Sequence, residues 1–192
     1  DPLVVHGAFR LFGGRLNDLV MEQGRAAVAV AAGEPILDMP VGTGYFTLEM
    51  ARHHDGLVVG LDIARGMVEE ARERAVAAGV PNLVTVQADS HHLPFPDGTF
   101  AAITCSNGLQ VIPGLVPSVR ELARVLAPGG TLFVSVVLAP VGAALPEATR
   151  EHLPTLLRPG RDVARELARA GLQTSTSSRA RLATLVEATK PF

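Results

Sequence analysis

The chain has 192 residues, of which 47% are hydrophobic, and its formal net charge at pH 7 is -2. These values suit one domain with a sizeable core and exclude a disordered chain. The chain has sixteen arginines and one lysine, Lys190, against nineteen acidic residues, so no nucleic-acid partner is expected. The single Cys105 excludes an internal disulfide and a metal site of cysteines alone, and no metal is predicted.

The sequence was also searched for targeting and membrane-spanning segments by its apolar runs. No apolar run approaches the length of a membrane span, and no signal peptide is recognisable. The expected location is therefore cytoplasmic.

The first segment, residues 1–34, is predicted to be helical. Apolar residues recur at spacings of three to four from Phe9 to Met21, and a second helix is predicted from Arg25 to Ala32. Two interpretations stay open: these helices pack on a sheet, or part of them covers a ligand as a lid.

Strands and helices alternate through the central segment, residues 35–138. The predicted helices are Thr47–His53, Arg65–Ala78 and Val116–Leu126, and Pro128-Gly129-Gly130 is predicted as a turn. The predicted strands are Ile36–Met39, Leu57–Asp62, Leu83–Val86, Phe100–Cys105 and Thr131–Leu138. This alternation predicts right-handed crossovers and a doubly wound, mostly parallel sheet.

The end of the chain has a different pattern. Residues 139–160 contain four prolines and no clear period, which we interpret as a variable segment on the acceptor side of a site. Residues 161–192 are predicted to form a helix, Asp162–Ala170, and an antiparallel hairpin of Leu172–Ser178 and Leu182–Thr189. The whole chain, 1–192, is therefore predicted to be one domain.

A glycine loop follows the first strand, with Thr43 between Gly42 and Gly44. A phosphate loop is excluded because it requires a lysine after its last glycine, and the only lysine is Lys190. The dinucleotide fingerprint requires a third glycine or alanine where this chain has Thr47. A Tyr-x-x-x-Lys pair is also impossible, since the single tyrosine is Tyr45.

Acidic residues end three consecutive predicted strands. Asp38 lies four residues before Gly42, where its charge would repel a diphosphate but favour a cationic ligand with an amino acid end, such as a methionine moiety. Asp62 can accept two hydrogen bonds from a ribose diol. Asp89 can accept one from the exocyclic amine of an adenine. In such sheets ligands bind at the carboxyl ends of the strands, where all three acids fall.

These motifs resemble a known family. The residues that carry the resemblance are Ile36–Arg52, Leu61-Asp62, Ala88-Asp89-Ser90, Leu93–Phe100 and Arg120–Gly130. They are similar to class I S-adenosylmethionine-dependent methyltransferases, in the ubiquinone/menaquinone-biosynthesis-like branch (methyltransferase type 11). The resemblance implies a Rossmann-like, seven-stranded α/β sheet with a C-terminal antiparallel hairpin. It also implies S-adenosylmethionine as cofactor, S-adenosylhomocysteine as product, and methyl transfer by in-line displacement that depends mainly on positioning.

The resemblance extends to particular residues. The residues expected to bind the cofactor lie in the glycine loop, at the ends of the second and third strands and after the fourth strand: Asp38, Pro40, Gly42, Thr43, Gly44, Asp62, Ile63, Met67, Ala88, Asp89, Ser90, Ser106, Asn107 and Gly108. No obligatory catalytic residue is implied, and His91 and His92 are candidates for a general base.

The chain also departs from this branch. The frequent Phe-Asp at the start of the fourth strand is Phe100-Ala101 here, and the frequent Leu-His-His after it is Leu109-Gln110-Val111. No nucleic-acid methyltransferase motif follows the fourth strand. A small, fairly apolar acceptor is therefore predicted, with the attacking atom open among O, N and C. The alternative is a methyltransferase-like protein that binds S-adenosylmethionine or S-adenosylhomocysteine without catalysis, in a regulatory or binding role.

Overall fold

The computed structural model describes residues 2–137, 160–179 and 183–192, with side chains for residues 17–136, 160–176 and 183–192. Almost all of the variable segment predicted at 139–160 lies outside the described residues, as does Leu182, the predicted start of the last strand. In the part described, no helix is both long enough and apolar enough to cross a membrane.

Seven strands form one sheet in the order β3-β2-β1-β4-β5-β7-β6. Strands β1 to β5 are parallel, whereas β7 pairs antiparallel with both β5 and β6. The strands are β1 (Ile36–Asp38), β2 (Val58–Asp62), β3 (Leu83–Gln87), β4 (Phe100–Ser106), β5 (Leu126–Val137), β6 (Gln173–Arg179) and β7 (Ala183–Thr189). The helices are α1 (Pro2–Ala31), α2 (Tyr45–Arg52), α3 (Arg65–Ala77), α4 (Leu115–Val125) and α5 (Gly160–Arg169). The predicted sheet and hairpin are confirmed.

One continuous helix replaces the two that we predicted before β1. Helix α1 runs for 30 residues and passes through Gly24, which lies at the expected break. A Cβ at Gly24 would lie 2.9 Å from Cγ of Met50 on α2. The glycine therefore allows the two helices to pack closely instead of ending the helix.

Helices cover both faces of the sheet. One apolar cluster joins Ala27 and Ala31 of α1 to Leu48 of α2 on one face. The other, larger cluster joins Leu122 of α4 and Leu167 of α5 to the opposite face. The central strands are buried on both sides, which explains their nearly continuous apolar sequences.

Strand β5 begins earlier than predicted, at Leu126 instead of Thr131. Its pairing with β4 is irregular, because Phe100 pairs with Leu126 whereas Ala102 pairs with Thr131. The predicted turn at 128–130 lies within this irregularity. Backbone hydrogen bonds from Gly129 N to Lys190 O and from Lys190 N to Gly130 O hold it against the chain after β7.

Lys190 caps the end of helix α4. Its Nζ donates to the carbonyl oxygens of Ala123, Arg124 and Leu126 at 2.8, 3.3 and 2.7 Å. The last carbonyls of a helix have no partner within the helix and carry partial negative charge, so a cation there is stabilising. The only lysine of the chain thus joins the end of the sheet to α4.

Candidate active site

The glycine loop connects β1 to α2 at the carboxyl edge of the sheet. Gly42 and Gly44 have positive φ angles of 53° and 77°, a conformation that glycine adopts without strain. A Cβ at Gly44 would lie 2.8 Å from Cβ of Ala71 on α3. Both glycines are therefore required locally: they allow the turn and the close approach of the loop to α3.

Asp38 ends β1 and is almost fully buried, with 4% of its surface exposed. Its Oδ1 accepts a hydrogen bond of 2.6 Å from Thr104 Oγ1 on β4, and its Oδ2 accepts one from Thr47 Oγ1 on α2. Burial raises the pKa of Asp38 to about 6, against the two hydroxyl hydrogen bonds that lower it. The negative charge of Asp62 raises this pKa further.

Asp62 ends β2 and joins two loops. Its Oδ2 accepts a hydrogen bond of 3.0 Å from the amide of Gly42, and its Oδ1 accepts one of 3.0 Å from the amide of Ala64. An ionised carboxylate has about four acceptor positions, so each oxygen keeps capacity for one further donor. Asp62 thus contacts the glycine loop directly, and its charge also acts on Asp38.

Asp89 follows β3 and is more exposed, with 46% of its side chain accessible. Its Oδ1 accepts a hydrogen bond of 2.9 Å from the amide of His91, which is a turn arrangement. The ring of His91 has Nδ1 3.4 Å from this carboxylate and Nε2 2.7 Å from the carbonyl oxygen of Pro113. His92 is exposed. The carboxylate of Asp89 remains accessible at the same edge as Asp62.

The loop after β4 packs on the glycine loop. A Cβ at Gly108 would lie 2.3 Å from Cδ of Pro40. Asn107 has φ +57°, and its side-chain nitrogen and oxygen are buried without a partner among the described residues. Ser106 and Asn107 therefore lie beside the start of the glycine loop.

The remaining predicted residues lie around this edge. Ile63, which follows Asp62, is 67% exposed, and Met67 in the first turn of α3 is half-buried. Ala88 is partly buried against the larger core cluster, and Ser90 is buried with its hydroxyl 2.8 Å from that of Ser118. Thr43 is half-buried in the glycine loop. Cys105 is buried core, and burial raises the pKa of its thiol to about 12.

Sequence reasoning missed the two threonines that hold Asp38. The sequence predicts Thr47 as the start of a helix and a departure from the dinucleotide fingerprint, and Thr104 as a strand residue, with no role for either beside Asp38. The sequence does give a reason to look for them, because a buried carboxylate at a strand end requires hydrogen-bond donors from neighbouring residues. Thr104 is the register partner of Asp38 in β4, which only the sheet order reveals.

A further network fixes the loop between β3 and β4. The guanidinium of Arg124 on α4 donates to the carbonyl oxygens of Leu93 and Phe95 and to the carboxylates of Asp97 and Glu121. Glu121 also accepts a hydrogen bond from the amide of Leu93 at 2.7 Å. These contacts explain why 93–100 and 120–130 occur as a pair of motifs.

A cavity of about 150 Å³ opens between α1 and α2 beside Asp38. Its walls include Val20, Met21, Val28, Phe46 and Met50. Its base is formed by Asp38, Thr104 and Ser106 at the ends of β1 and β4, and Arg25, Glu49 and His53 also line it.

Comparison with known proteins shows what this chain is similar to. Residues 36–130 match the family described as a methyltransferase domain.

Among curated proteins, one relative is a demethylmenaquinone methyltransferase from Beutenbergia cavernae, 37% identical over 134 residues, which are 69% of this chain and 53% of that protein. The chain thus spans about half the length of the curated relatives it matches.

Solved structures share the fold. A SAM-dependent methyltransferase from Aquifex aeolicus superposes with a TM-score of 0.69 at 20% identity, covering 82% of each chain. The [4+2]-cyclase SpnF superposes with a TM-score of 0.75 at 23% identity, covering 92% of this chain and 80% of its own. The cyclase shows that the fold alone does not determine the reaction.

Proposed function

We propose that this protein transfers a methyl group from S-adenosylmethionine to a small-molecule acceptor. The buried Asp38 just before the glycine loop, together with Asp62 bonded to the amide of Gly42, supports this proposal more than any other observation. The loop has no side chain at Gly42 or Gly44, so a cationic ligand can approach its backbone closely.

Each predicted residue has a role in this proposal. Asp38 faces the ammonium group of the methionine moiety, directly or through water, and Asp62 accepts hydrogen bonds from the ribose diol with its remaining acceptor positions. Asp89 accepts one from the adenine amine. The other binding contacts come from the glycine loop, the start of α3, the end of β3 and the loop after β4: Pro40, Gly42, Thr43, Gly44, Ile63, Met67, Ala88, Ser90, Ser106, Asn107 and Gly108.

When bound, the cofactor would supply a methyl group on a positively charged sulfur for in-line attack by an acceptor nucleophile; the methyl–sulfur bond would break with its electron pair left on sulfur, and the acceptor would lose a proton. The chain positions the two reactants, and positioning alone is worth up to about 7–11 kcal/mol in well-aligned systems. A protein nucleophile is not required.

The proposed acceptor class is suggested by the names of the relatives. Relatives named for demethylmenaquinone or for ubiquinone and menaquinone biosynthesis make quinol-type compounds the first acceptors to test. His91 and His92 are the candidates for a general base. The Nε2 of His91 points to the Pro113 carbonyl oxygen, so Nδ1 is the nitrogen left to accept a proton in that tautomer.

Two measurements test the proposal. Saturating S-adenosylhomocysteine should stabilise the protein in a thermal shift assay, by about 2.7 kcal/mol at 100 times its Kd. S-adenosylhomocysteine should also form from S-adenosylmethionine with a quinol acceptor, and Asp62→Ala should abolish both signals. Binding of the cofactor without turnover of any acceptor would favour the non-catalytic alternative, and no binding by the wild type would overturn the cofactor assignment.

A further inference from the structure

The cavity between α1 and α2 adjoins the proposed cofactor site but is not lined by the residues proposed to hold the ribose and adenine. Asp38 and Ser106 line it, whereas Asp62 and Asp89 do not. Its location is therefore suited to a second ligand that meets the cofactor at the ends of β1 and β4.

The size of the cavity limits that ligand. A buried apolar cavity of about 150 Å³ is known to hold one benzene ring, and this cavity has a volume of about 150 Å³. Val20, Met50 and Phe46 supply apolar walls. A single ring fills this space, and a fused pair of rings would have to extend out of its opening.

The end of the cavity at β1 and β4 has a polar lining. Asp38, Thr104 and Ser106 line it there. The hydroxyl of Thr104 donates to Asp38 at 2.6 Å. The hydroxyl of Ser106 is therefore the lining group that remains to exchange hydrogen bonds with a ligand.

The polar residues at the β1 and β4 end of the cavity determine which polar group of a ligand is favourable there. The hydroxyl of Ser106 can both donate and accept a hydrogen bond. The buried carboxylate of Asp38 disfavours an anion. A neutral hydroxyl satisfies all of these conditions.

We infer that the α1–α2 cavity binds the methyl acceptor, and that the bound part of the acceptor is a single hydroxylated ring. The inference rests on the proposed function and narrows the acceptor to one ring. The apolar walls take the ring, and the hydroxyl lies at the end of the cavity near Ser106.

Three probes test the size and polarity of the cavity: 4-methylphenol, toluene and 2-naphthol. Each is titrated by ligand-observed NMR into the protein saturated with S-adenosylhomocysteine. We expect 4-methylphenol to bind about three- to tenfold more tightly than toluene, which is the range of one net hydrogen bond. We expect 2-naphthol to bind at least about tenfold more weakly than 4-methylphenol, although it is more apolar, because overpacking is unfavourable.

Matched variants locate the binding. Val28→Phe fills the cavity from α1 and should weaken 4-methylphenol binding at least about tenfold, because the added ring occupies the space of the ligand. Val30→Phe, the same change on the exposed side of α1, should leave it unchanged. Ser106→Ala should reduce the affinity for 4-methylphenol to that for toluene without changing toluene binding.

The outcomes separate this inference from the proposed function. Failure of the wild type to bind S-adenosylhomocysteine would refute the proposed function. Normal binding of S-adenosylhomocysteine with no binding of 4-methylphenol, or with tighter binding of 2-naphthol, would refute the inference alone. If Val28→Phe weakened S-adenosylhomocysteine as strongly as 4-methylphenol, the cavity would belong to the methionine end of the cofactor and the inference would be wrong.

Discussion

Asp38 combines burial, two hydroxyl donors and a neighbouring carboxylate in one side chain. A charged carboxylate is unfavourable in this environment, and the pKa of Asp38 is raised from 3.8 to about 6. An enzyme that binds a cation can use such a group, because the unfavourable charge of the free protein is relieved when the ligand arrives. The charge of Asp38 should therefore lower the stability of the free protein and raise its affinity for a cationic ligand.

The first prediction concerns stability. The folded protein binds a proton at Asp38 more tightly than the unfolded chain does, so the contribution of this group to stability is present below pH 4 and is lost as the pH rises through about 6. Asp38→Asn removes that loss. We expect the variant to be more stable than the wild type above pH 7, by up to about 3 kcal/mol from the shift of about two pKa units.

Urea denaturation at pH 4.5 and pH 7.5 measures this difference. The stabilisation should shrink at the lower pH, and the exposed Asp55→Asn is the control. A variant that is less stable than the wild type at pH 7.5 would show that the hydrogen bonds from Thr47 and Thr104 outweigh the buried charge.

The second prediction concerns ligand binding. Since protonation of Asp38 removes the charge that faces the ammonium group, the affinity for S-adenosylhomocysteine should fall below about pH 6, approaching tenfold per pH unit. Calorimetric titrations from pH 5 to pH 8 measure the slope. In Asp38→Asn the affinity should be lower at pH 8 and should lose this pH dependence. An equally steep slope in the variant would assign the proton to another group.

At the scale of elements, the glycine loop and the loop after β4 form one packed unit. Gly108 contacts Pro40, so the two loops cannot move independently without opening this contact. Helix α3 closes the other side of the glycine loop through Ala71. The geometry around Asp38 and Asp62 thus depends on packing between elements that are distant in sequence.

The third prediction tests this packing with two glycine substitutions. Gly108→Ala would place a Cβ 2.3 Å from Cδ of Pro40, and we expect destabilisation of about 1–3 kcal/mol together with weaker cofactor binding. Gly66→Ala is the matched control, because its Cβ meets nothing within 4 Å and alanine favours the helix by about 0.5–1 kcal/mol. Melting temperatures should therefore shift in opposite directions. Equal shifts would argue against the contact.

The fourth prediction concerns the loop between β3 and β4. Arg124 reaches two carbonyl oxygens and two carboxylates with one planar group, which a lysine cannot reproduce. We expect Arg124→Lys to destabilise the protein by about 1–3 kcal/mol. Hydrogen exchange should increase most in residues 93–98. Unchanged exchange there would show that Phe95 and Phe100, whose rings meet edge to face at 4.9 Å, hold the loop by themselves.

At the scale of the whole molecule, the sequence predicted the sheet because its strands are short, apolar and separated by strong helix signals. It also located three acids at the correct edge, since parallel strands bring their carboxyl ends together. It could not predict that Thr104 holds Asp38, because that contact requires β4 to lie beside β1. The predicted helix boundary at Gly24 is wrong. Because glycine has no side chain, α1 packs closely against Met50 at this position and continues through it.

The long-range contacts also explain why the cavity was not predicted. Its residues come from α1, α2, β1 and β4, and their order in space follows only from the assembled sheet. Sequence periodicity identified the apolar faces of these helices. It did not indicate that the faces of α1 and α2 leave a space between them.

Acylation of Lys190 can be used to measure local unfolding of the protein. Its amine donates to three carbonyl oxygens at the end of α4, so it is poorly available as a nucleophile while β7 and α4 remain joined. No other lysine competes for an acylating reagent. The rate at which the peptide containing Lys190 acquires an acyl label therefore measures how often this corner of the sheet opens. That rate can be followed in dilute samples, with and without cofactor, by mass spectrometry alone.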